Sequence, residues 1–450
     1  MNRINVLATT FILLFTGCIR QSLDPKISFH NNNVLLPTLE FSTSEDTEAY
    51  VEYWPRDHTD RLQRSGQSTG KHHRIILVGV TPSTTYDYTI HTSNPERVTN
   101  TLTFSTSQLP AGVTQIRKQL IDTTQFNGYV LVRRLSPQGV DVMLNNAGDI
   151  VWYHMYDSVV RRPFNWTSRN TVLSEVDTAR IVEYDLYGDA VFDMDLKDYN
   201  IPNMLHHDAA FDAKGDIVAL THDSVKMDLR KFGYGNEQFI RGDGIVVITT
   251  KGKKVSEWNI LNVYDPHDHP NRKLDLTHSL GHANSLAIAS DGNYVVSFRD
   301  FSQVWKINAS DGSIMWTLGD GGDLKLAKEG FFLRQHAVCF NDQGELMLFD
   351  NGDRKIRPES RVLSFVIDEQ KKEAVLKTKV VLPRELSAEK MCSAVSIEPG
   401  KYLVCTTKKN GIITVVNDSA EVLWRVDLSN PSYRAYYLDD PFTSKRTTGK

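Results

Sequence analysis

Ser290-Asp291-Gly292-Asn293-Tyr294-Val295-Val296-Ser297-Phe298 decides the fold: a tight turn on a glycine, then an apolar strand. Asp-Gly and Gly-Asn pairs supply the left-handed backbone that a two-residue hairpin needs. The same turn recurs as Ala213-Lys214-Gly215-Asp216, Gln343-Gly344-Glu345 and Pro399-Gly400-Lys401, each between two apolar runs. A second signal is a small or turn residue followed four later by an aromatic: Gly148 to Trp152, Gly188 to Phe192, Gly312 to Trp316 and Ala420 to Trp424. Lys251-Gly252 leading to Trp258 is a looser fifth copy, and the paired β-rich runs of Val362 to Leu382 make a sixth. Internal repeats settle a fold before other features do. Residues 110–440 spread over six copies leave about 55 residues each, enough for a four-stranded blade. The expectation is an all-β chain whose larger domain is a six-bladed β-propeller.

Residues 25–108 read differently. Leu39-Glu40-Phe41, Tyr50-Val51-Glu52-Tyr53, Tyr86-Asp87-Tyr88-Thr89-Ile90 and Leu102-Thr103-Phe104 alternate apolar and polar at short spacing, as strands with one buried face do. This predicts a small N-terminal β-sandwich of fibronectin type III or immunoglobulin-like kind, with no chemistry evident in it. The 450 residues carry 51 Lys+Arg against 55 Asp+Glu and no long basic run, so nucleic acid is not an expected partner. No apolar stretch reaches the roughly 18 residues of a membrane-spanning helix.

Aligning the blades on the turn glycine brings out the chemistry. Eight residues before it stand His207, Asn284, His336 and Cys392; seven after it stand His222, Arg299, Asn351 and Thr407. His282 precedes Asn284 by two, on the same side of a strand. In a propeller the inner strands line a central channel, so matching positions of different blades meet in space. Taken singly, a histidine in a strand is more often structural, and Asn351 in Asp350-Asn351-Gly352-Asp353 could be turn chemistry. Together, imidazoles, a guanidinium and an amide suit a tetrahedral oxyanion. No cofactor is expected, and whether a structural metal is present stays open. The His/Asp-rich stretch Asp265-Pro266-His267-Asp268-His269 falls in a Pro-bearing loop outside the register and reads as a solvated loop.

Phe331-Phe332-Leu333-Arg334-Gln335-His336-Ala337, followed by Leu348-Phe349-Asp350-Asn351-Gly352-Asp353, resembles the active-site blade of the bacterial arylsulfate sulfotransferases. His282-Ala283-Asn284-Ser285 with Arg299, and His207-Asp208, are similar to that family's other motifs; Cys392 or Ser393 stands where some members have Thr. The resemblance implies a small-molecule aryl sulfate donor, a phenolic acceptor and ping-pong transfer through a sulfohistidine, with no nucleotide sulfate donor. It implies His336 as nucleophile, His207 as acid/base, and His282, Asn284 and Arg299 as stabilisers of the sulfate oxyanion. Two alternatives remain at this point: a surface propeller that binds a glycan or protein without catalysis, and a hydrolase that passes the group to water. A homo-oligomer is open.

The leader reads as an address. Met1-Asn2-Arg3 is a basic n-region, Val6 to Phe15 an apolar h-region, and Thr16-Gly17-Cys18 resembles a lipobox closing residues 1–18. An ordinary cleaved signal with an incidental cysteine is the alternative. The expectation is an exported protein of the bacterial periplasm or cell surface, held to a membrane only by lipid on Cys18. Diacylglycerol plus an N-acyl chain meets the need for more than one chain in stable anchoring. Cys18→Ser is therefore expected to move the protein from the membrane fraction to a soluble exported form with activity retained; fractionation checks it, and a variant that still sediments with membranes removes the anchor. Export also permits a Cys392–Cys405 disulfide, with free buried thiols the other outcome.

Overall fold

Short strands that bury one face and end in tight turns leave exposed edges, which radial repetition shortens and protects. The computed structural model describes residues 23–442 except 114, 136–137, 158–159, 161–163, 269–275 and 277–278. The leader with Cys18, and His269, lie outside the described residues. Within them the fold is all-β, a six-bladed β-propeller with helix limited to 3₁₀ turns of three or four residues.

Each blade meanders outward. Blade 2 runs from Phe164–Trp166 to Ala190–Asp195, blade 3 from Met204–Phe211 to Lys254–Asn259, and blade 4 from Ala283–Ile288 to Ile314–Gly319. Blade 5 runs from His336–Phe340 to Glu373–Val381, with Lys325–Leu326 added in parallel, and blade 6 from Ser393–Glu398 to Val422–Leu428. Blade 1 draws on both ends of the domain. Tyr129–Arg134, Val140–Asn145 and Ile150–Met155 take their inner strand from Ala435–Leu438, while Ile116–Leu120 pairs outside Val422–Leu428 of blade 6. The ring is thus clasped twice.

The outer aromatic repeat has a physical reason. Trp152 donates its indole N–H to the Leu186 carbonyl of the next blade, Trp258 to Gly312 and Trp424 to Asn146, while Trp316 reaches the Glu369 carboxylate. A buried indole needs an acceptor, and here the acceptor is the neighbour's outer turn. The apolar clusters likewise straddle neighbours: Val218, Ile245, Phe298 and Trp305 join blades 3 and 4, and Leu318, Phe332, Leu348 and Phe365 join blades 4 and 5.

Inner strands are edges, so some of their N–H groups must find partners elsewhere. Position seven before the turn glycine supplies several. Asp208 accepts from the Leu286 N–H of blade 4, Ser285 from the Val338 N–H of blade 5, and Ser393 from the Ala435 N–H of blade 1. Asp208 also takes both arms of Arg434 at 3.1 and 3.0 Å, so a buried ion pair ties blade 3 to the closing segment. Arg434→Met should leave that carboxylate buried and uncompensated, a loss of about 3–5 kcal/mol. A denaturant midpoint unchanged from wild type would show the pair to be dispensable.

Residues 23–28, 38–76 and 85–105 form a second compact unit. The strand Thr85–Ser93 buries Tyr86, Tyr88, Ile90 and Thr92 in strict alternation. Its hydrogen bonding draws one connected network rather than two separate sheets. The nineteen-residue strand Pro37–Pro55 pairs with Ser68–Ile76 over its first half and Thr85–Ser93 over its second, with a register shift between Ser42 and Thr47.

Candidate active site

The second strand of each blade ends where the inner strand begins, and in blades 3, 4 and 5 the ladder breaks there. Register shifts fall between Leu205 and Ala209, Ala283 and Ser285, and His336 and Cys339. His207, His282, Arg334, Ala337, Met391 and Cys392 all take positive φ, between 53° and 78°. Non-glycine residues rarely do so, and such strain gathers at functional sites. Bulges of this kind re-aim side chains that strand alternation would separate.

His336 lies at the centre of the set and is 3% exposed. Its Nδ1 is 2.7 Å from Asn351 Oδ1 and 3.1 Å from the Arg334 carbonyl. The Asn351 amide nitrogen is already donating to the Ala388 and Met391 carbonyls, so its oxygen must face the ring. Nδ1 therefore carries the proton, and Nε2 holds the lone pair, accepting from the Met391 N–H at 3.2 Å. Burial pushes the imidazole down to a pKa of about 3; the Asn351 bond opposes this, and the charges of Arg299 and His282 add to it. His336 is a neutral base at any ordinary pH.

The other expected residues divide. The His207 and His282 rings meet edge to face with centroids 5.3 Å apart. Arg299 donates its backbone N–H to the His282 carbonyl, and its guanidinium bonds Asp300 Oδ1 at 2.6 Å. Asn284, by contrast, is fully buried, and its amide nitrogen donates to the Gln335 carbonyl at 2.7 Å, so it braces the backbone leading into His336. Gln335 itself bonds Ser297 Oγ and the carbonyls of Phe298 and Gln303, locking blade 5 to blade 4. Cys392 is a free thiol pushed up to about 12 by burial, its S–H directed at the Lys390 carbonyl. Cys405 is also free and pairs across the strands with Ser393, so the Cys392–Cys405 disulfide is not formed.

Tyr433 joins the site from the closing segment. Its buried ring stands 6.0 Å from His207 and 6.2 Å from His336, and its hydroxyl donates to the Asn284 carbonyl. Glycine-turn alignment does not reach it, because blade 1 receives its inner strand from the far end of the chain. Its signal was an aromatic just before the clasp strand.

Two His/Asp groups bear on metal binding. His267 is fully used: Nδ1 meets Asp265 at 2.7 Å and Nε2 the Asp228 carbonyl at 2.9 Å. His206, His222 and Asp243 place one potential ligand atom each within 4.8 Å of one another. The His206 and His222 rings stack at 3.7 Å and 11°, however, so their in-plane lone pairs run side by side rather than converge. His206 Nε2 is also held by the Thr221 carbonyl at 2.9 Å.

Residues 90–411 match the family model of arylsulfotransferase (ASST), a span containing His207, His282, Asn284, Arg299 and His336 but not Tyr433. None of the curated proteins matches the chain. Among solved structures, a protein of unknown function from Bacteroides caccae is similar at 12% identity, covering 69% of this chain and 99% of its own, with a TM-score of 0.44. The β-propeller domain of Myceliophteria thermophila Cps50 (Swd1) is similar at 12% identity, covering 73% and 90%, with a TM-score of 0.39.

Proposed function

The chain belongs to the arylsulfotransferase family, and from that premise we propose that it moves a sulfuryl group from an aryl sulfate to a phenol in two displacements through N-sulfonated His336. The observation that carries this reading is the state of His336: buried, neutral, with its tautomer fixed by Asn351 so that Nε2 is the nucleophilic atom. An imidazole attacks only through an unprotonated nitrogen.

In the donor step Nε2 attacks sulfur, the S–O bond breaks, and the phenoxide leaves with the electron pair, taking a proton from His207 where its basicity requires one. In the acceptor step His207 removes the phenol proton, the phenolic oxygen attacks sulfur, and the N–S bond returns its pair to Nε2. Sulfuryl transfer, like phosphoryl transfer, depends mainly on in-line positioning and on stabilising spread negative charge. On this reading Arg299 and His282 supply that stabilisation, and the effect of their charge on His336 supports it. Asn284 acts one layer back, through the Gln335 carbonyl. The Met391 N–H, which donates to Nε2 at 3.2 Å, must give up that bond before attack. The aryl sulfate itself carries the group, so the reading needs no nucleotide donor, and the sequence having no Gly-x-x-x-x-Gly-Lys-Ser/Thr segment is consistent with that.

The test is release of a chromogenic phenol from an aryl sulfate, with and without added phenol. Release stimulated by phenol supports transfer. Release indifferent to phenol would identify a hydrolase, and no release a binding module, and either outcome overturns the proposal.

A further inference from the structure

His206 stands beside the acid/base residue and is fully buried. We propose that Asp243, His206 and His207 form a relay in which His206, as a positioning residue, fixes the tautomer of His207 and spreads the charge that His207 gains on deprotonating the acceptor phenol. This rests on the transfer reading above and assigns how its acceptor half is driven.

The hydrogen bonds order the protons. A carbonyl oxygen only accepts, so the Thr221 carbonyl 2.9 Å from His206 Nε2 requires hydrogen on that nitrogen. Neutral His206 then carries its lone pair at Nδ1, which lies 2.8 Å from His207 Nδ1. His207 Nδ1 must therefore be the donor, and its other nitrogen, Nε2, bears the lone pair. The His207 ring is edge-on to His282 at 5.3 Å and to Tyr433 at 6.0 Å, the two aromatic groups of the site that flank it. Adjacent residues of a regular strand point to opposite faces. The positive φ of 61° at His207, inside the bulge, is what lets the two rings meet at 84°.

Asp243 gives the relay its charge. It is 1% exposed; Oδ2 accepts from the Ala283 N–H at 2.8 Å, and Oδ1 has no hydrogen bond but lies 3.5 Å from both His206 Nε2 and His222 Nδ1. A buried carboxylate is costly unless positive charge faces it. A proton arriving at His207 and shared through His206 brings that charge, while the His222 ring, stacked at 3.7 Å, holds the His206 plane. The Ser-His-Asp hydrolases likewise use a buried carboxylate to stabilise an imidazolium; here Asp243 would do so across 3.5 Å, while the Thr221 carbonyl fixes the His206 tautomer. The acceptor step then balances: the phenol proton passes to His207 Nε2, the phenolic oxygen bonds sulfur, and the N–S bond to His336 breaks with its pair returning to Nε2.

The donor step with 4-nitrophenyl sulfate needs no such help, because nitrophenolate leaves without a proton. The experiment compares the nitrophenolate burst without acceptor against transfer to unsubstituted phenol, in wild type, His206→Phe, His206→Asn and Asp243→Asn. His206→Phe should keep the burst and slow transfer about 10²-fold or more, the scale of general acid–base assistance. His206→Asn, whose Oδ1 takes the place of Nδ1 but cannot take up a proton, should restore the His207 tautomer and recover only part of the transfer rate. Asp243→Asn keeps its shape and should slow transfer alone, which carries the test if His206→Phe does not fold. Variants that slow both steps alike, or neither, overturn the relay while leaving the sulfohistidine reading standing. A wild type with no burst removes that reading, and the relay with it.

Discussion

His336→Asn is expected to fold as the wild type does and to lose turnover by several orders of magnitude. The covalent step has no substitute once the nucleophilic nitrogen is gone, and residues that act as one unit lose nearly everything together. The fold should survive because the new amide can still donate to Asn351 Oδ1, the acceptor that now meets Nδ1 at 2.7 Å. Two measurements check the assignment. Wild type treated with donor alone should gain the mass of one sulfuryl group, mapped to His336 and absent from the variant. An adduct on Cys392 or Ser393 instead would overturn it.

The same burst has a pH signature. An unperturbed histidine nucleophile would be lost to protonation as pH falls through about 6.5. On the proposed mechanism the neutral form of His336 is the reactive one, and its pKa is pushed down to about 3. The nitrophenolate burst should therefore not decline until pH approaches that value, within the range where the protein stays folded. A burst that halves near pH 6.5 would place the nucleophile elsewhere.

Much of this was legible in the sequence because a propeller converts register into proximity. One glycine alignment picked out His207, Asn284, His336, Arg299 and Asn351; in the structure Asn351 bonds His336, Arg299 is tied through its backbone to His282, and the His282 ring meets that of His207. The alignment named positions but not directions. Asn284 turns its amide to the Gln335 carbonyl, and His222 turns onto His206, because bulges and left-handed residues re-aim side chains that strict alternation would place otherwise. His206 was hidden by the same cause, since a neighbour of His207 should face away. Tyr433 was hidden by topology. The row formed by Asp208, Ser285 and Ser393 was visible, one place after His207, Asn284 and Cys392, but its task is to meet an N–H of the following blade, which sequence spacing does not express. In the N-terminal unit the chain stays extended through residues 42–46, so one strand pairs first with Ser68–Ile76 and then with Thr85–Ser93, a continuity that short alternating runs do not express.

Arg299→Lys keeps the charge and should still be severe, on the order of a 10²-fold loss in kcat/KM or more, the scale of removing one preorganised donor. The residue follows the strand Tyr294–Phe298, and its backbone N–H is tied to the His282 carbonyl, so its stem is fixed relative to a second site residue. One guanidinium nitrogen holds Asp300 at 2.6 Å. The planar fork leaves its other N–H groups for two oxygens of the transferring group at once, whereas an ammonium drawn to Asp300 offers a compact point charge with no fixed second direction. The charge effect and the geometric effect then separate. Because Lys preserves the positive charge that helps hold His336 neutral, the pH dependence of the burst should be unchanged while its rate falls. A variant with wild-type kinetics would put Arg299 outside the site. One that loses rate only through an altered pH profile would show that its charge matters and its shape does not.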